Sequence, residues 1–218
     1  MVKVFDEELG GLKADFMKLG ALVGEAISSS GQSFINHDVD SAQQVITNDP
    51  KINDLQIELE KRSFEIMALY QPVTTDLREV VSILKGVTDL ERAGDHARNV
   101  ARSTVKIKGQ KRLPEVEEII ATMANEVSKE FNECISAYAR ADQVSAKETV
   151  KIFADEINDL YNGAASPSYQ AMAAHPDIVN SGVLYINVAK DLSRISDYST
   201  NICEWTIYLA TGEIVELS

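Results

Sequence analysis

Residues 89–101 read DLERAGDHARNVA and residues 191–203 read DLSRISDYSTNIC. The two segments align without a gap, 102 positions apart, and share Asp89/Asp191, Leu90/Leu192, Arg92/Arg194, Asp95/Asp197 and Asn99/Asn201. A shorter echo comes before each one: INDL at 52–55 returns at 157–160. Two echoes in the same order at nearly the same separation mark a duplicated unit of about a hundred residues. Each copy must then bury its apolar face in the same way, so whatever one half folds into, the other must fold into as well.

The unit is helical. Long proline-free stretches carry apolar residues three and four apart, and no alternating run bounded by hairpin signals is present. The five prolines, at 50, 72, 114, 167 and 176, punctuate the chain sparsely. Helices are expected at about 4–36, 41–69, 73–105, 115–139, 143–162 and 176–212. Asp40 is expected to cap the second helix, and Pro72 falls in the first turn of the third, where proline is tolerated. Pro50 is expected to kink or break the second helix, and Pro167 leaves 163–177 ambiguous. The segment 108–114, KGQKRLP, reads as the linker between halves. The expectation is therefore an all-α fold: six helices forming two pseudo-symmetric three-helix bundles, residues 1–108 and 109–218.

The third helix shows a packing seam through Val80, Leu84, Val87, Leu90, Gly94, Ala97, Ala101 and Thr104. The sixth repeats it with Ile186, Ala189, Leu192, Ser196, Ser199 and Cys203. This seam is core and carries no chemistry. Beside it runs a polar stripe, in which Glu91 and Asp95 lie only ~40° apart on the helix surface. Two carboxylates one turn apart repel, and either an arginine (Arg92 or Arg98) or a hard cation relieves them. Oxygen donors without thiolates suit magnesium, calcium, manganese or iron rather than structural zinc. The stripe continues through Asn99 and recurs as Asp197 with Asn201.

Charge narrows the partners. With 34 acidic and 21 basic residues the net charge is −13, which repels phosphate backbones and anionic lipid, so no nucleic-acid partner is expected. Two cysteines, Cys134 and Cys203, are too few for a disulfide framework and read as buried free thiols. The first twenty residues have no apolar run of the kind a signal peptide needs, and no stretch is long and apolar enough to span a bilayer. A cytoplasmic placement is expected.

Three of these segments and a fourth near the N-terminus together resemble the PhoU family of phosphate-signalling accessory proteins. The segment 89–100 resembles the first repeat motif, QPVTTDLR at 71–78 the opening of the third helix, TNICEWTIYLATGEI at 200–214 the C-terminal ending, and FDEEL at 5–9 the N-terminus. The resemblance spans nearly the whole chain. It implies a non-enzymatic negative regulator of phosphate uptake and of the phosphate-starvation response. Such a protein couples the ATPase subunit of a Pst-type phosphate ABC transporter to a sensor histidine kinase, peripheral to the membrane through these partners, and as a homodimer. It also implies iron, zinc or other divalent metal ions held by E(D)xxxD motifs. Carried over, these are Glu91 and Asp95 in the first half and Asp197 in the second, where Ser193 stands in place of the usual Glu. Asn99 and Asn201 complete the candidate metal set, with Asn53, Asp54, Asn158 and Asp159 as further oxygen donors. The serine predicts tighter metal binding in the first half.

Two other readings stand beside this one. A carboxylate-metal enzyme of the di-iron type needs Glu-x-x-His pairs aimed into a bundle core, but Phe34, Ala93 and Met172 precede the three histidines at that spacing. No phosphate-binding loop, nucleophile elbow or HExxH motif occurs. A metal-free helical scaffold, with Arg92 and Arg194 simply pairing the acids, remains the alternative to metal binding. His96 reads as exposed or partner-contacting, and Trp205 and Tyr208 as bundle filling.

Overall fold

The structure, a computed structural model, describes residues 2–217. Among these, six long helices follow one another: α1 Val2–Ile35, α2 Val39–Tyr70, α3 Thr74–Ile107, α4 Pro114–Ala139, α5 Gln143–Ala174 and α6 Val179–Thr211. A single 3₁₀ turn, Pro176–Ile178, precedes α6. No described helix is long and apolar enough to cross a membrane.

Duplication is plainest in what is buried. In α1 the residues at 12, 16, 19, 23, 27, 30 and 34 are buried, and in α4 those at 116, 120, 123, 127, 131, 134 and 138. The two spacings are the same. In α3 and α6 the match holds at the 102-residue offset: Val80/Gly182, Ile83/Tyr185, Val87/Ala189, Leu90/Leu192, Gly94/Ser196, Ala97/Ser199, Ala101/Cys203 and Thr104/Thr206 are buried pairwise. The upper seam thus runs through Ile83 and Tyr185, not Leu84 and Ile186. The ridge takes a four-residue step there in both copies. One apolar core is continuous through both halves, and the expected boundary at 108/109 falls in the turn between α3 and α4.

The turns repeat as well. His37 (φ 57°) and Ala141 (φ 49°) are both left-handed, each at the end of the first helix of its half. The next amide closes the helix end, Asp38 N–H donating to Ser33 O at 2.8 Å and Asp142 N–H to Ala137 O at 2.9 Å. That Asp then caps the following helix. Asp38 Oδ1 accepts from the amides of Asp40 and Ser41, and Oδ2 from the Ser41 hydroxyl at 2.6 Å. Asp142 does the same with Val144 and Ser145. The cap of α2 is therefore Asp38, not Asp40, because the Ser41 hydroxyl selects the carboxylate three residues before it.

Pro50 and Pro167 lie inside α2 and α5, and neither ends its helix. A proline in a helix interior costs about 3 kcal/mol, but Ala164, Ala165 and Ser168 are buried around the second one. Packing of α5 against α4 and α6 outweighs the lost hydrogen bond, so the ambiguous stretch is helical as far as Ala174.

The halves meet mainly through α3 against α6, with α1 crossing α4. Gly86 allows the first contact: a Cβ there would lie 2.9 Å from the Phe16 ring and 3.4 Å from Ile202. Polar groups cross the same junction. Asp89 accepts from Asn201 Nδ2 at 3.1 Å and from Trp205 Nε1 at 2.9 Å. Its counterpart Asp191 hydrogen-bonds His96 Nδ1 at 2.7 Å, with the imidazole stacked on Tyr198. His96 is thus a partly buried bridge between halves rather than an exposed residue, and Trp205 serves as a hydrogen-bond donor as well as filling space.

Candidate metal centre

Glu91 and Asp95 project from α3 at the edge of the core, partly exposed, beside α2. The face of α2 opposite them carries Asp49 and Asn53, one turn apart. The apolar stripe of α2 runs Ala42, Val45, Asp49, Ile52 at three- and four-residue steps, so an acid takes a position that periodicity gives to a hydrophobe. Asp49 is 6% exposed. A carboxylate so buried needs a counter-charge, and Arg98 supplies it: Nη1 donates to Asp49 Oδ2 at 2.5 Å and to Asp95 Oδ1 at 2.9 Å. Burial opposes the charge on Arg98, yet Asp49, Asp95 and Glu91 together raise its pKa above the usual arginine value.

The cluster remains short of positive charge. Burial pushes the Glu91 carboxyl up, and the negative charges of Asp95 and Asp49 push it further, against the opposing pull of Arg92 and Arg98. Asp49 Oδ1, Asn53 Oδ1 and Arg98 Nε are buried with no hydrogen-bond partner. A polar cleft of about 360 Å³ opens between α1 and α2, floored by Gly94 and Arg98 and lined by Ser29, Gln32, Asn48 and Asp49. Among the described residues no three His, Cys, Asp or Glu side chains converge tightly enough to grip a metal as they stand. The chemistry of the donors, carboxylates and an amide with Asp49 Oδ1 and Asn53 Oδ1 lacking partners, is that of a site for a hard divalent cation. The Arg98 guanidinium already supplies positive charge to Asp49 Oδ2 and Asp95 Oδ1.

The second half differs residue by residue. Asp197 is half-exposed and paired with Arg194 at 2.8 Å, while Ser193 replaces Glu91. Counted from the two Asp caps, Phe153 takes the place of Asp49, and Thr200 replaces Arg98 at the repeat offset. Asn158 and Asp159 are exposed, as is Asp54 in the first half. Asn201 is turned away from Asp197 towards Asp89, and Asn99 faces Arg102 at 3.5 Å. The structure therefore brings together Glu91 and Asp95, adds Asp49 and Asn53, and leaves Asp197, Asn99 and Asn201 outside any such cluster. This donor set does not fit a metal in the second half. The residue that sequence reasoning missed is Asp49, and its signal was an acid on an otherwise apolar stripe.

A family model described as "PhoU domain" matches residues 16–104 and again 120–206. A protein of Clostridium acetobutylicum named phosphate-specific transport system accessory protein PhoU homolog is 32% identical over 99% of this chain and 98% of its own length. The homolog of the same name in Streptococcus pneumoniae is 31% identical over 98% of both. Among solved structures, the phosphate transport system regulatory protein PhoU from Streptococcus pneumoniae superimposes with a TM-score of 0.88 at 29% identity, covering 98% of this chain and all of that one. PhoU from Pseudomonas aeruginosa gives 0.90 at 30% identity over 96% of this chain and all of that one.

Proposed function

Because the chain belongs to the PhoU family, we propose that it regulates phosphate-specific transport without being an enzyme. In this reading it is a negative regulator of phosphate uptake and of the starvation response. It contacts the ATPase subunit of a Pst-type phosphate ABC transporter on one side and a sensor histidine kinase on the other, in the cytoplasm and as a homodimer. The observation that carries the reading is the end-to-end correspondence with relatives named as accessory proteins of that transport system. Two helical bundles that present long polar faces, with a net charge of −13, suit a protein that acts by offering surfaces to basic partners. Switching between partners requires different affinity in different transporter states.

The test is deletion of the gene followed by a phosphate-starvation reporter read at high phosphate. Derepression is the expected result; an unchanged reporter rejects the regulatory reading.

The metal belongs to the same proposal. Glu91, Asp95, Asp49 and Asn53 would hold a hard divalent ion such as iron, which would supply positive charge tying α2 to α3. The second half, with Ser193 and Phe153, has too few donors. Metal titration is expected to give one strong equivalent per chain, lost in Asp95→Ala and retained in Asp197→Ala. Equal losses in the two variants would reject the asymmetry.

A further inference from the structure

Cys134 on α4 and Cys203 on α6 are both free and fully buried, and their sulfurs lie 2.8 Å apart. The equivalent positions of the first half are Ser30 and Ala101, so only the second half carries the pair. We propose that Cys134 and Cys203 are an oxidation site, closed by a two-electron oxidant such as hydrogen peroxide into an intramolecular disulfide that fastens α4 to α6. This stands independently of the phosphate-regulation reading.

A disulfide needs its sulfurs at about 2.05 Å, so closure draws them less than about 1 Å nearer. Burial pushes the Cys134 thiol up and so disfavours the thiolate in the closed molecule. Oxidation therefore starts in molecules whose second half has opened locally. The first thiolate attacks a peroxide oxygen: an S–O bond forms, the O–O bond breaks, and water leaves behind a sulfenic acid. The second sulfur then attacks the first. The S–S bond forms, the S–O bond breaks, and the oxygen departs as water with the remaining thiol proton. Two thiols and one peroxide become one disulfide and two waters, the sulfurs losing the two electrons that the peroxide gains. The second step is intramolecular between groups the fold already holds in contact, which favours it over reaction with another chain.

The link closes a long stretch of chain and should raise the thermal midpoint by roughly 10 °C, relieved by dithiothreitol. The purified full-length protein is treated with hydrogen peroxide below its transition and read three ways: free thiols after denaturation, non-reducing peptide mapping, and thermal unfolding. The expected result is two thiols falling to none, a cross-linked peptide joining 134 to 203, and the upward shift, which Cys134→Ala and Cys203→Ser abolish. If either variant fails to fold, the thiol count and the linked peptide of the natural chain decide. Persistent free thiols, sulfinic or sulfonic acids, or disulfide-linked dimers would overturn the proposal.

Discussion

Replacing Glu130 with methionine is expected to stabilise the protein by several kcal/mol at pH 8 and to change it little at pH 5. Glu130 is fully buried on α4, and neither carboxyl oxygen has a hydrogen-bond partner. Burial pushes its carboxyl up to about 8; Ser196 nearby favours the charged form, though no hydrogen bond of normal geometry reaches it, and Asp197 disfavours it. The folded state thus keeps a proton that the unfolded chain, with a carboxyl near 4.5, has given up. Stability is full below the unfolded value and declines as pH rises towards the folded one, by ~1.4 kcal/mol per pH unit at the steepest. Methionine matches the shape without the proton, so the variant should lose less stability than the natural protein between pH 5 and pH 8. Urea unfolding at pH 5, 6.5 and 8 measures this; parallel profiles for both proteins would show that Glu130 does not titrate with folding.

Arg98→Met is expected to cost roughly 3–5 kcal/mol in metal-free buffer, because it strands Asp49 as a buried, unpaired carboxylate. The same change frees the oxygens that a divalent ion would need. Saturating manganese should therefore restore more stability to the variant than it adds to the natural protein, since an ion that binds only the folded state stabilises it according to its affinity. Unfolding with and without manganese, for Arg98→Met alone and combined with Asp49→Asn, separates the effects. The double variant should recover much of the loss and most of the metal response should vanish. A single variant within 1 kcal/mol of the natural protein would mean that Arg98 does not neutralise Asp49.

The helical character of the chain and the alignment of α3 with α6 were legible in the sequence, because period and identical polar residues survive there. The match between α1 and α4 was not. It resides in which positions are buried, and pairs such as Ser30/Cys134 or Phe16/Ile120 share volume class and depth rather than identity. Pro167 misled for a related reason: local propensity ended the helix at a point where packing of Ala164 and Ser168 carries it on. At the candidate centre Glu91 and Asp95 were found from their one-turn spacing. Asp49 escaped because its partner is 49 residues away on another helix, so the acid on the apolar stripe of α2 marked a buried charge without showing what it pairs with. Asn201 was misplaced because its side chain answers to Asp89 in the opposite half.

Those crossed contacts have a wider consequence. Asp89 finds its donors on α6, and Asp191 finds His96 on α3. In a symmetric pair of single units the same contacts would run between twins, with every change then appearing on both sides at once. Tandem fusion lifts that constraint. With the twins encoded separately the halves can differ, and Ser193 and Phe153 stand where the first half carries Glu91 and Asp49.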